Sequence, residues 1–396
     1  MNYKIISKSI FITLVLISFT ACNSYKNANM YKSNPEATKD ENNLLAKVDR
    51  LSKKIDEHEN TQKEDKYNKY PNEILQRLLK DDKLISNSNI NFDIKVIKNP
   101  SVNAFALPNG KIYIHTGLLS LIENEAQLAL LIAHEMNHVL YKHSLKQQAN
   151  AKAIATFGQL FSVLSSPFDG GIIGALIQVS SIYGYSQQHE KESDEKGYQQ
   201  IVQAGYDPQE ASKLFNLMLE NIKLNKISQP YFFSTHPKVE ERIESSKSLI
   251  EKYYQGKTGI VKDKIYQAYS KNILINDIEL NLKLRKFEVA NYLIKKLHKR
   301  YERSTHSNYF QAEYMRLTKD NSFENTLQKY NEALEIDTSY YKAYRGIGYL
   351  YFELDKKEEA KDAFKKYLSL NENAKDKNYI QYYINQCEKG KKQWQK

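Results

Sequence analysis

Between Ala126 and His138 the chain writes two things at once. The run Ala126-Gln127-Leu128-Ala129-Leu130-Leu131-Ile132-Ala133 is strongly helical and nearly all apolar, and it leads directly into His134-Glu135-Met136-Asn137-His138. On a helix, positions i and i+4 lie one above the other on the same face. Both imidazoles can therefore reach one ion, with Glu135 beside them rather than behind.

The pattern H-E-x-x-H is the arrangement of zinc peptidases, with two histidine ligands and a glutamate that acts as general base on the water the metal activates. A site with two histidines needs a third protein ligand and an open position for water. A third histidine six residues after the second is one solution, but Ser144 stands there. A glutamate from a later helix is the usual alternative. The segment Tyr185–Gly197 carries three, at Glu190, Glu192 and Glu195.

Here the chain resembles the M48 family of zinc metallopeptidases, which carry H-E-x-x-H followed by a helix with E-x-x-A-D. Aligning on Asp194 makes Glu190 the third ligand, places Ser193 where the family has Ala, and gives Asp194 the task of orienting a histidine ligand through its distal ring nitrogen. Glu192 is the competitor for the ligand position. Glu190 and Asp194 share a helix face at i, i+4, and Glu192 points away. The stretch Asn103-Ala104-Phe105-Ala106-Leu107-Pro108-Asn109-Gly110 is similar to the family's N-A-F-x-x-P-x-G hairpin, and Thr116-Gly117-Leu118-Leu119 follows. Ala204-Gly205-Tyr206-Asp207-Pro208 closes the glutamate helix, and Ser234-Thr235-His236-Pro237 precedes Arg242-Ile243. One departure is Gln187, where many members have Arg.

The resemblance implies one Zn²⁺ per chain, held by His134, His138 and Glu190, with Glu135 as the catalytic base. His236 is a second catalytic candidate: it stabilises the oxyanion, gates the metal, or merely caps the turn before Pro237. His143 and His189 read as ordinary polar residues. Phe92–Lys98 and Lys111–His115 alternate as strands do, with Pro108-Asn109-Gly110 as a turn. An exposed edge beside the active-site helix would let an extended peptide add as a strand. Asn103, Ala104 and Phe105 are then substrate-binding candidates, unless they only pack the sheet.

The N-terminus sets the compartment. Lys4 and Lys8 precede the apolar run Ile10–Phe19, which ends in Phe19-Thr20-Ala21-Cys22. This is a short signal peptide over residues 1–21, and its end resembles a bacterial lipobox, implying lipidation at Cys22. A plain secretory signal with an incidental cysteine is the alternative. Asn23 mildly favours outer-membrane sorting of a lipid-anchored periplasmic protein. Residues 22–69, rich in Asn, Lys, Glu and Asp, read as a solvated tether, although Leu44, Val48, Leu51 and Ile55 are spaced for a short helix. After Cys22 only Cys387 remains, so acylation leaves no intramolecular disulfide. Residues 153–183 are apolar, but Ser165-Ser166-Pro167 and Asp169-Gly170-Gly171 split them into halves too short to span a bilayer. Two packed helices or a flap over the cleft is the expectation, with no transmembrane helix.

The last third is a different object. Residues 307–340 and 341–374 align at a period of 34, Phe310 with Tyr344, Thr326 with Ala360, Tyr330 with Phe364. With Gly348 and Tyr351 the second copy resembles a tetratricopeptide repeat, and a degenerate copy around 280–297 precedes the pair. Such repeats stack into a concave binding surface. Residues 256–396 hold 28 Lys+Arg against 19 Asp+Glu, most of the chain's net +11. That charge favours acidic partner segments or an anionic membrane face, while an exported chain with no nucleic-acid motif speaks against DNA or RNA.

The expected fold is mostly α with a small β-sheet: a zincin-type α+β metallopeptidase domain over 70–255, then an α-helical, tetratricopeptide-like solenoid over 256–396. The expected function is a zinc-dependent endopeptidase acting on unfolded or misassembled cell-envelope proteins, with the repeats docking substrates or an envelope assembly machine. The rival is an envelope chaperone or adaptor whose protease domain is latent or gated.

Overall fold

The structure, a computed structural model, describes residues 35–80, 90–148, 185–225 and 239–392. The N-terminal part runs α1 (Pro35–Glu57), α2 (Asp65–Leu79), β1 (Asp93–Ile97), β2 (Ala104–Ala106), β3 (Lys111–His115), α3 (Thr116–Leu121), α4 (Glu125–Leu140), α5 (His143–Gln148), α6 (Gln187–Gln203), α7 (Pro208–Asn225) and α8 (Val239–Tyr253). The C-terminal part is helical: α9 (Asp263–Lys283), α10 (Phe287–Arg300), α11 (Thr305–Thr318), α12 (Phe323–Ile336), α13 (Tyr341–Glu353), α14 (Lys357–Leu370) and α15 (Lys377–Lys392). This is the mostly helical architecture with a small sheet that the sequence implies.

Helix α4 is the central element. Every residue from Glu125 to Val139 is buried, so the helix has no solvent face. Asn124 starts it by accepting a bond from the Gln127 amide at 3.0 Å, which satisfies one of the orphan donors of the first turn. Glu125 adds a negative charge beside those amides and ties four segments together. Its carboxylate accepts from Tyr70 at 2.6 Å, Tyr206 at 2.8 Å, Lys262 at 2.9 Å and from Arg77. Burial alone would raise its pKa, but these bonds outweigh it and hold the carboxyl below its usual range.

The sheet has the order β1-β3-β2, with β1 parallel to β3 and β2 antiparallel to it. Ile94 pairs with Ile112, and Phe105 with Tyr113. The outer edge of β1 is closed. Thr61 bridges Ile97, and Asn68 and Asn72 of α2 accept from the Val96 and Ile94 amides at 2.9 and 3.0 Å. The remaining edge belongs to β2, which lies against α4.

Residues 48–61 pack on one side and are solvated on the other: Val48, Leu51 and Ile55 are buried as one stripe of α1, while Asp49, Arg50 and Lys53 are exposed. Tyr113 donates to Asp56 at 2.9 Å, and Asn109 donates to Asp49 at 2.9 Å. The apolar 4-3-4 spacing is what overrides the polar composition here. At the other end, residue 255 does not separate two cores. Tyr266 and Ile273 of α9 belong to the same buried cluster as α4, and Tyr266 donates to the Leu119 carbonyl at 2.6 Å. Lys296 and Arg300 of α10 reach the Leu121 and Ile122 carbonyls, groups that a helix terminus leaves without an internal partner.

Beyond α10 the helices follow as antiparallel pairs with a recurring burial pattern. Thr326, Tyr330, Ala360 and Phe364, aligned at a spacing of 34, are all buried. Gly346 and Gly348 of α13 lie against Tyr330 and Phe364 so closely that a β-carbon would overlap the rings. Among the described residues no helix is long and apolar enough to cross a membrane. Cys22 and the apolar stretch 153–183 lie outside the described residues.

Candidate metal centre

Helices α4 and α6 cross in contact, locked by Asn137 Nδ2 donating to Gln200 Oε1 at 2.9 Å. The crossing brings His134 and His138 of one helix against Glu190 of the other, all three buried. His134 Nε2 and His138 Nε2 are 3.0 Å apart, His138 Nε2 is 3.3 Å from Glu190 Oε1, and His134 Nε2 is 3.5 Å from Glu190 Oε2. Zinc–ligand bonds of about 2.0–2.1 Å in tetrahedral geometry put neighbouring ligand atoms about 3.3 Å apart. Two imidazoles and one carboxylate at this spacing fit a zinc ion with a fourth position left over.

Of the two glutamates, Glu190 is the one brought to the histidines. Glu192 faces the other way, with Oε2 at 3.0 Å from His143 Nε2. Glu135, between the ligands in sequence, is wholly buried.

Asp194 Oδ1 lies 2.8 Å from His134 Nδ1 and, as a carboxylate, accepts from it. A donor on Nδ1 leaves Nε2 with a free lone pair, the tautomer a metal requires. Arg242 of α8 carries no role in the sequence reading beyond its match to the family motif. It grips Asp194 through Nε at 2.9 Å and Nη2 at 2.7 Å, and its guanidinium stands 4.5 Å over the Phe215 ring. Burial opposes an ionised Asp194, but Arg242 and His134 outweigh it and keep the carboxyl below its ordinary range. Replacing Asp194 with Asn is expected to weaken zinc binding about 10–100-fold, measured by competition with a chromogenic chelator.

His143 was expected to be an ordinary polar residue, and the structure corrects this. It is fully buried, with Nδ1 at 3.0 Å from Nδ1 of His138. His189 stacks on it at 4.3 Å. No spacing rule announced this contact, because it depends on the turn after α4, where Lys142 takes φ 53°. Gln187 does find a partner, donating to Glu241 at 3.2 Å. His236 lies outside the described residues.

The substrate candidates Asn103, Ala104 and Phe105 are buried, as is Ala106. The Phe105 ring is stacked on Tyr113 at 5.1 Å and serves the packing of the sheet. Asn103 differs: neither atom of its amide has a hydrogen-bond partner.

Comparison with known proteins places this centre. The model of peptidase family M48 matches residues 66–250, which contain His134, Glu135, His138, Glu190, Asp194 and Arg242. Residues 66–250 form a peptidase family M48 domain. It is 30% identical over 166 residues to the beta-barrel assembly-enhancing protease of Escherichia coli K12, covering 40% of this chain and 34% of that protein. To the mitochondrial metalloendopeptidase OMA1 of Schizosaccharomyces pombe it is 29% identical over 175 residues, 44% of this chain and 50% of that one. The bovine OMA1 metalloendopeptidase is 30% identical over 174 residues, 41% of this chain and 33% of that one. The matched part thus spans between a third and a half of these relatives.

Proposed function

We propose that this chain is a zinc-dependent endopeptidase of the bacterial cell envelope, exported and lipid-anchored through Cys22, that cuts unfolded or misassembled envelope proteins. The observation that carries the reading is the convergence of His134, His138 and Glu190 at zinc-ligand spacing beside the buried Glu135, inside an M48 domain. Bound zinc would supply Lewis acidity toward water and the scissile carbonyl. Glu135 accepts a proton from the attacking water and passes it to the departing amine. Asp194 and Arg242 hold the His134 ring in place throughout. Asn103, buried with both amide atoms unsatisfied, offers a donor and an acceptor to the main chain of a peptide laid along β2. Recognition through main-chain atoms tolerates many side chains, which suits unfolded clients. The relatives named for enhancing β-barrel assembly support envelope proteins as clients and an assembly machine as the docking partner of the tetratricopeptide-like helices.

One observation favours a gated enzyme as the second reading: Glu135, both histidines, Glu190 and β2 are all buried together. Zinc content and casein cleavage, measured on the chain lacking residues 1–22 with and without chelator, separate the readings. About one zinc per chain and chelator-sensitive cleavage are expected. Zinc without cleavage would favour the latent enzyme or chaperone, and no zinc at all would remove the metallopeptidase reading.

A further inference from the structure

We propose that His143 and Glu192 form a positioning relay that orients the second histidine ligand, His138, as Asp194 and Arg242 orient the first. This inference rests on the zinc reading above and deepens it. The argument begins with the two nitrogens of the His138 ring. Nε2 converges with His134 and Glu190, while Nδ1 lies 3.0 Å from Nδ1 of His143. Two ring nitrogens at that distance bond only if one carries a proton and the other does not.

Glu192 decides which. Its carboxylate only accepts, so at 3.0 Å from His143 Nε2 it places the proton on that nitrogen. In the neutral ring Nδ1 of His143 is then bare and accepts from His138 Nδ1–H. His138 Nε2 is left with its lone pair directed at the metal. A single protonation pattern satisfies all these contacts, and it is the pattern zinc requires.

The chain is built to bring these groups together. After α4 the left-handed Lys142 reverses the backbone, so that His143, five residues beyond His138, returns to it as the first residue of α5. Helix α6 contributes Glu190 to the ligand set and, two residues later, Glu192 to the relay. His143 is fully buried, so solvent does not substitute for either partner. Its ring is stacked on His189, and the His138 ring lies against Tyr185 at 3.6 Å. Ser193, standing where the family has Ala, brings a hydroxyl to 3.3 Å from His143 Nδ1.

Partners of this kind typically change metal affinity 10–100-fold. The test measures zinc affinity by chelator competition and the visible absorption of the cobalt(II)-loaded protein, both on the chain lacking residues 1–22. His143→Ala and Glu192→Ala are expected to bind zinc at least about tenfold more weakly and to shift the cobalt bands. Glu192→Gln, whose amide oxygen still accepts from His143, restores most of the affinity, and Ser193→Ala stays close to the parent. Glu192 is one-third exposed, so its variants carry the test even where His143→Ala fails to fold. Parent-like affinity and an unshifted cobalt spectrum in Glu192→Ala and in folded His143→Ala would overturn the relay while leaving the zinc centre standing. A parent that binds no zinc would instead overturn the centre itself, and the relay with it.

Discussion

Glu135→Gln is expected to abolish casein cleavage, by at least about 10²–10⁴-fold, while zinc content stays at the parent value. Glutamine has the shape of glutamate and occupies the same fully buried position, but its amide cannot take a proton from water near neutral pH. The three ligands His134, His138 and Glu190 are untouched by the change. Loss of turnover with zinc retained is therefore the signature of a missing base rather than of a missing metal. Parent-like cleavage by Glu135→Gln would rule out Glu135 as the base. Loss of zinc in the variant would show that the carboxylate helps to hold the site together.

The metal centre was legible in the sequence because its geometry is local. The i, i+4 spacing of His134 and His138 defines a helix face, whereas Glu190 and Asp194 came from the resemblance to the M48 motif, with their i, i+4 spacing placing both on one face. The strands at 93–97 and 111–115 followed from alternation, and the buried positions at Thr326, Tyr330, Ala360 and Phe364 from a fixed period. What escaped depends on tertiary neighbours. His143 and Arg242 look like surface residues in sequence, and only the turn at Lys142 and the docking of α8 bury them. The helix at 35–57 was half legible: its apolar spacing was visible, but not the polar strand residues, such as Tyr113, that bind its other side chains. The packing between the two parts was not legible for a related reason. A composition shift near residue 256 marks a change of architecture, yet the apolar face of α9 completes the core around α4.

That shared core holds the second large effect. Asp277 of α9 is buried where the helix meets the M48 domain, beside a cavity of about 100 Å³ lined by Gln62, Tyr67, Lys98 and Thr116. Its Oδ1 has no hydrogen-bond partner. Burial pushes the carboxyl up to about 7, against the opposing pull of Ser120 and Lys286. The sign is then fixed. An acid with a raised folded pKa binds its proton more tightly in the folded state, so stability falls as pH rises from the unfolded value near 4 to about 7. Above that window the fold carries a buried charge at full cost. Asp277→Asn keeps the neutral shape and removes the titration. Its stability relative to the parent should therefore rise by about 3 kcal/mol between pH 5 and pH 8, read as urea midpoints at the two values with unchanged slopes. Equal gains at both pH values would show that Asp277 does not titrate in this range. The expected result has a functional corollary. The seam loosened by the ionised carboxylate joins α9 to Thr116–Leu121, the helix just before α4. Alkaline conditions should thus open the C-terminal helices away from the M48 domain before the zinc ligands separate, which amide exchange in α9 and α4 can order in time.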